Sequence, residues 1–535
     1  VWPHLPPFPT GLKGQVRAWI DWYRVIAGFR VDVATADFVT GRFSVSGEPG
    51  GEGGFSSDVE YKDFRMEGMR DGRIALYSMG PMVQETRYQL DGAPYAETSI
   101  IESTLVKNLN AMALFELFDP KPEGTGQRVA LVESIEASGY RTESGLFEYV
   151  IDRVAYENLA IQAPESDFVA IAEQILDDVE PDAPTIVNAV IDLYRSFSVG
   201  TALMDGFKMN IAFEGQQAIG KIDSFALREL SSDGLGEMVL QGVDIDGGEN
   251  GSFKLGRFAI SDVEFPPYGP IKAFTSDESA WDNPDPLETA RIFMPLSFAM
   301  EMKDMFVAST ELPGDVKLDG HLLEMRTETP PVPTHFVFTT EGLEFPVSLI
   351  EEADARAMFE AAGIDVVRLS DEIRLSWDEA AQDLVIENIM VDLGQVGRVT
   401  GRARFGGVPR SVLENPQQAQ ALMFTLNVKS VELELENDGG VQTALALYAQ
   451  MIGSGEDALK GQLLLQLGAM LGQVGNDAFR RQVSAAAGAF LDNPQNLSIR
   501  AAPGAPVPVA QIMSDAMAAP DALPERLGIT VEANR

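Results

Sequence analysis

Two periodicities of apolar residues alternate along this chain, and their changeovers divide it. Val16, Trp19, Ile20, Tyr23 and Ile26 recur at helical spacing, which predicts an amphipathic helix over residues 12–27 closed by Gly28. Residues 1–9 ahead of it are Pro-rich and read as an extended tether. From 29 to about 95 the period falls to two, as in 30–33, 43–46 and 59–66, with a Gly-rich turn at 49–54, the mark of antiparallel strands. A helix is predicted over 105–118, and strands over 128–135, 147–161 and 207–214. Between them, 167–179 and 185–197 predict a helical hairpin joined at 181–184.

One short pattern recurs. Val59, Tyr61, Phe64 and Met66 are echoed by Val154, Tyr156, Leu159 and Ile161, by Phe258, Ile260, Val263 and Phe265, and by Leu384, Ile386, Ile389 and Val391. Each copy alternates, slips by one residue and alternates again, as a β-bulge or local bend would require. A second meander follows, with strands at 373–377, 384–392 and 398–405; residues 424–436 then alternate with one face dry and the other charged. Beyond Asp438 three helices are predicted, at 441–452, 456–474 and 477–491, followed by a strand at 496–501, a short helix at 509–517 and a closing strand at 529–533.

The expected fold is α+β and β-rich: long curved antiparallel sheets with repeated bent strands, helical insertions and a C-terminal three-helix region. The segments divide as a tether and helix (1–28), a first β region (29–165), a helical hairpin (166–206), a second β region (207–285), a third with helical insertions (286–437) and a helical region with closing strands (438–535).

Composition narrows the chemistry. The chain has 535 residues, 81 acidic and 40 basic, a net charge of −41. No long Lys/Arg cluster interrupts that field, so nucleic acid is not an expected partner and an anionic membrane surface is disfavoured. Without cysteine there are no disulfides, thiolate nucleophiles, zinc fingers or iron–sulfur clusters. Apolar runs such as 292–300 and 463–471 are broken by Pro295 or Gln466 and fall short of the roughly 18 residues that cross a bilayer. The first residue is Val1, which fits a removed signal peptide or a membrane anchor upstream of it and fits a trimmed chain equally.

The candidate motifs reduce to structure. Gly215 to Lys221 has phosphate-loop spacing, but Ile222 stands where Ser or Thr should hold magnesium and no helix follows, so a hairpin turn is expected. Asp244 to Gly251 resembles a calcium loop, with Glu249 where the glycine and Leu255 where the bidentate Glu belong; an acidic turn is expected. Gly468 and Gly472 have the spacing of close helix packing in a soluble bundle. The three histidines, His4, His321 and His335, lack triad or metal spacing. Phe293, Met294, Phe298, Met300, Met302, Met305 and Phe306 crowd one segment, suited to a core or to a lipid-facing groove. No catalytic, cofactor or metal residue is assigned, and no cofactor is expected.

The Trp-bearing helix (Trp19, Ile20, Trp22, Tyr23), the repeated strands of the Val-x-Tyr-x-x-Phe-x-Met type and the ending from Ala505 to Val531 together resemble the β-rich envelope proteins of Gram-negative bacteria, including the AsmA-like group and alphaproteobacterial relatives. That resemblance covers most of the chain in style and carries over no residue. It implies a periplasmic location and a curved antiparallel sheet with an apolar trough that shields lipid chains. The expected function is then non-enzymatic binding of an apolar ligand, such as lipid, or assistance in envelope assembly. The alternatives are a scaffold or subunit of a larger envelope complex, and a carboxylate-dependent hydrolase acting on polysaccharide.

Overall fold

A computed structural model describes residues 16–45, 55–90, 93–118, 127–145, 147–177, 179–213, 216–282 and 284–535. The tether, His4, the turn at 49–54 and the first residues of the opening helix lie outside these. The chain divides into two compact units, Val1–Phe293 and Met294–Arg535. Each is a run of antiparallel strands with helices attached, the β-rich α+β class expected from the periodicities.

Unit one holds β1 (Val31–Val45), β2 (Phe55–Met69), β3 (Arg73–Met79), β4 (Met82–Leu90), β5 (Ala93–Ile101), β6 (Ser103–Asn110), β7 (Arg128–Ser144), β8 (Phe147–Gln162), β9 (Phe197–Phe213), β10 (Gln216–Ser231), β11 (Gly234–Asp246) and β12 (Gly251–Glu264). β1 pairs with β2, which pairs along one half with β4 and along the other with β3. β4 continues to β5 and β3 to β6, and both β5 and β6 meet β7. From β7 to β12 each strand pairs with the next.

The opening helix runs over Val16–Ala27, and the Gly28 amide donates to the Arg24 carbonyl at 3.0 Å, the expected glycine stop. The helix predicted over 105–118 is corrected: residues up to Asn110 belong to β6, and only Ala111–Phe118 is helical. Val106 is buried there, and β6 is bonded on both sides, to β3 and β7, so pairing overrides the local helical spacing. The two expected inserted helices form at Phe168–Leu176 and Ala183–Ser196. Asp167 and Asp182 cap them by accepting from the amides of Ala170 (3.0 Å) and Thr185 (2.7 Å). The first packs on the Val16–Ala27 helix and the second on helix Tyr268–Thr275 and on β8 and β9. Buried Asp192 fastens the second helix, accepting hydrogen bonds from Ser166 and from Tyr268, each at 2.5 Å. Burial, and then the carboxylate it bonds, raise the Tyr268 pKa, keeping that phenol a donor.

Unit two is a meander of β13 (Ser297–Ser309), β14 (Val316–Arg326), β15 (His335–Pro346), β16 (Val366–Asp378), β17 (Asp383–Asp392), β18 (Gly397–Gly406) and β19 (Asn427–Asn437), which pairs with β20 (Asn496–Ala501) and β21 (Val507–Pro508); β22 (Ile529–Ala533) closes on β20. The Met/Phe-rich segment becomes β13, with Phe298, Met300, Met302 and Met305 half-buried. Trp377, Val408 and Leu413 form a small core, and the Trp377 indole donates to the Val408 carbonyl at 2.9 Å.

Helices Gly440–Met451, Glu456–Val474 and Asp477–Asp492 match the expected three-helix region; Leu445, Ala449 and Leu459 of the first two form a core against which Leu491 of the third packs. The expected close packing at Gly468 and Gly472 is corrected. A Cβ built at either meets nothing within 4 Å, so this stretch of helix presents open space to its glycines. The middle helix buries Leu459 while leaving Leu465 77% and Met470 68% exposed.

Candidate functional site

Two lines of interrupted backbone cross unit one. From the start of β6 to β12, one line runs through Glu102, Gly139, Asp152, Gly206, Asp223, Gly242 and Gly256; the other runs six residues away on each strand, through Asn108, Glu133, Asn158, Gly200, Glu229, Gly236 and Asp262. Positive φ alternates between the lines from strand to strand. It occurs at Asn108 (51°) on β6, Gly139 (63°) on β7, Asn158 (55°) on β8, Gly206 (70°) on β9, Glu229 (55°) on β10, Gly242 (65°) on β11 and Asp262 (53°) on β12. Gly, Asn and Asp tolerate this region best, which explains most of the residue types at these positions; Glu229 carries more cost. Each opposing residue must also come close. A Cβ at Gly206 would lie 2.0 Å from the Asp152 carboxylate, and one at Gly242 would lie 2.0 Å from that of Asp223.

These lines are creases. The expected one-residue slip is therefore resolved in two ways. At Asp63, Asn158 and Asp262, inside the first three copies of the repeat, a positive-φ residue resets the alternation while the ladders of β2 to β1, β8 to β9 and β12 to β11 continue unshifted, as from Glu157↔Thr201 to Leu159↔Val199; on the other side of β8 the ladder to β7 shifts between Ala130 and Val132. In the fourth copy the ladder itself shifts between Ile386 and Ile389, a true bulge.

Between the creases the sheet has two unlike faces. Directly opposed residues share a face, so one row runs Ala34–Met66–Tyr77–Val106–Ile135–Tyr156–Ala202–Leu227–Met238–Ile260 over ten strands. Beside it runs Thr104–Ala137–Val154–Met204–Phe225–Leu240–Phe258. Neighbouring strands lie about 4.8 Å apart, so the longer row extends roughly 43 Å. Along both rows only Val106 is buried; the others keep contact with solvent, Tyr156 at 40% exposure. Large apolar side chains thus form an open floor.

The opposite face is covered. Ala155, Ala226, Val239 and Ala259 are buried there with Leu203 packed against the cluster. On the same face, flanking them, Arg153 pairs with Glu136 at 3.0 Å, and Arg257 (2.6 Å) and Arg228 both reach Glu237. The aliphatic stems of these residues roof small apolar ones. Those contacts hold the Glu237 carboxyl below its ordinary pKa, chiefly through the hydrogen bond from Arg257.

Unit two has an uncovered row of its own. Ile389, Gly401, Leu433 and Ile499 oppose one another across β17 to β20, with Ile389, Leu433 and Ile499 at 39%, 43% and 39% exposure. The face of 424–436 expected to be dry is therefore wet at Leu433, because no layer lies over it there. At one end of these strands a cavity of about 490 Å³ is lined by Met358, Phe359, Ile364, Leu393, Val396 and Leu447.

The remaining candidates are structural. Gln216 to Lys221, from the phosphate-loop lookalike, lies in β10 paired to β9, and Asp244 to Gly251 is the β11–β12 turn, where Asp246 accepts from the Gly248 amide at 2.9 Å. His321 meets the Phe338 ring edge-on at 4.9 Å, and His335 lies 3.6 Å from Glu324. Among the described residues no group of three or more His, Asp or Glu is placed to hold a metal. No helix among them is long and apolar enough to cross a membrane. In the sequence the creases show only as the slip in alternation, although Gly, Asp, Asn and Glu at six-residue spacing on successive strands is a further visible signal.

A family model described only as "Uncharacterized protein" matches residues 390–534, from β17 to the end of β22. No curated protein and no solved structure matches this chain.

Proposed function

We propose that this protein is a non-enzymatic component of a Gram-negative envelope, located in the periplasm, that binds the hydrocarbon part of a lipid on the open floor of unit one. The observation that supports this reading is the pair of apolar rows between the creases, left in contact with solvent over many strands while the reverse face is roofed by ion pairs. Exposed apolar area of this extent marks an interaction surface. The Met and Phe side chains in it adapt to a chain of variable shape. A second reading, docking of an envelope partner protein, draws on Leu465 and Met470 of the C-terminal helices. The hydrolase reading has less support. It needs an acid with a raised pKa, and among the described residues the carboxylates with a resolved shift, Asp58, Asp182, Glu237, Asp277 and Asp383, all move down.

The test uses the full chain stripped of lipid and a fluorescent diacylglycerol. Wild type should bind it, and the double variant Phe225→Arg, Leu240→Arg should lose at least tenfold in affinity while keeping its circular dichroism. Each buried apolar side chain contributes about 1.5–3 kcal/mol, so replacing two by a charge is ample for that loss. Absence of binding by wild type, or equal binding by the variant, would overturn the proposal.

A further inference from the structure

Beyond the crease through Asn158 and Glu229, helix Ala183–Ser196 leans over the ends of β9, β10 and β12 and leaves a cavity of about 460 Å³. Its lining includes the apolar Val190, Leu193, Phe197, Leu230 and Phe265 and the polar Tyr194, Arg195, Ser231 and Ser232. That volume lies within the roughly 300–1,000 Å³ of small-ligand sites. Arg195 also lines a smaller adjoining cavity of about 50 Å³ with Ser232 and Tyr268.

Arg195 is unusual in a chain of net charge −41. Its guanidinium stacks on the Tyr268 ring, 3.9 Å from the centroid, and forms no ion pair within 4 Å with any described carboxylate. Stacking occupies the flat face of the guanidinium and leaves its N–H edge for an acceptor. Nearby Asp192 is already engaged by Ser166 and Tyr268. A second guanidinium, that of Arg128, donates to Ser232 at 2.9 Å. An apolar chamber thus has at its edge a cation that stacks on a ring and forms no ion pair among the described residues, while Glu165 and Asp192, which line the small cavity beside it, are held by Lys272 and by Ser166 and Tyr268.

We propose that this cavity is a binding site for a long-chain carboxylate, the alkyl chain lying against Val190, Leu193, Phe197 and Phe265 and the carboxylate paired with Arg195 beside Ser231 and Ser232. The planar, monoanionic head matches the fork of one guanidinium, which favours a carboxylate over a dianionic phosphate. The site is separate from the floor, and Phe225 and Leu240 take no part in its walls.

The experiment measures binding of palmitate, hexadecanol and hexadecyl phosphate to the delipidated full chain by calorimetry. Palmitate should bind most tightly. Arg195→Met should weaken palmitate by about 10–100-fold, the worth of a charge-assisted hydrogen bond, and leave hexadecanol unchanged. Val190→Trp, at a side chain 54% exposed and therefore tolerant of substitution, should fill the chamber and weaken palmitate and hexadecanol alike. Palmitate binding that survives both variants, or equals that of hexadecanol, overturns the proposal, as does tightest binding of the phosphate. Palmitate binding that is lost in both and retained in the Phe225→Arg, Leu240→Arg protein supports it even if the floor binds no diacylglycerol.

Discussion

Asp383 shows what one side chain contributes. It is fully buried at the start of β17, and its two oxygens meet Arg404 Nε at 2.6 Å and Lys429 Nζ at 2.6 Å. Burial pushes its pKa up, but the hydrogen bonds and charges of Lys429 and Arg404 outweigh that and hold the carboxyl below the ordinary carboxylate range. A lowered folded pKa gives stability that is complete above the unfolded value of about 4 and disappears as pH falls through the folded one. Asp383→Asn leaves two cations facing a neutral amide. Both keep some access to water, so the expected loss is about 3 kcal/mol, the lower end for breaking a buried pair. Urea unfolding at neutral pH measures it, and the variant should show a shallower loss of stability below pH 4 than wild type. Nothing local in the sequence announces this pairing. Arg404 and Lys429 lie on two successive strands after Asp383, and only the register of β17, β18 and β19 brings the three together.

At the scale of strands and helices, periodicity carried most of the information. The helices Glu456–Val474 and Asp477–Asp492 and the strands Asn496–Ala501 and Ile529–Ala533 stand almost where their spacing placed them. β6 did not, because its bonds to two neighbours outweigh a helical-looking run. The creases were half legible: the slip in alternation was visible, but not that a backbone torsion rather than an extra residue causes it. Gly206→Ala tests the distinction. With φ at 70° and the Asp152 carboxylate in the way, it should cost at least about 2 kcal/mol. Gly41→Ala in β1, where a Cβ meets nothing within 4 Å, should stay within about 0.5 kcal/mol. Chemical denaturation of the two proteins decides; equal effects would mean that the crease is not under this constraint.

For the molecule as a whole, charge was read directly and matters for stability more than for partner choice. The ion pairs are mostly between exposed groups, each worth little, whereas a net charge of −41 repels itself throughout. Added sodium chloride screens that repulsion over distances beyond about 10 Å at moderate concentration. The melting temperature should therefore rise from low to high salt; a fall would show that the paired charges dominate. The open floor was not legible, since composition and periodicity report which residues are apolar and not whether a second layer covers them. The alternation of positive φ between the two creases also limits how such a sheet can change length. A strand with its special torsion in one crease requires neighbours with theirs in the other, so the smallest unit that can be added or removed without a misfit is a pair of strands. Asp152, Asn158, Gly200 and Gly206 on β8 and β9, and Asp223, Glu229, Gly236 and Gly242 on β10 and β11, are two such units side by side. A sheet of this kind lengthens by whole hairpins, and a chain that has lost both β10 and β11 should still present matching creases where β9 meets β12.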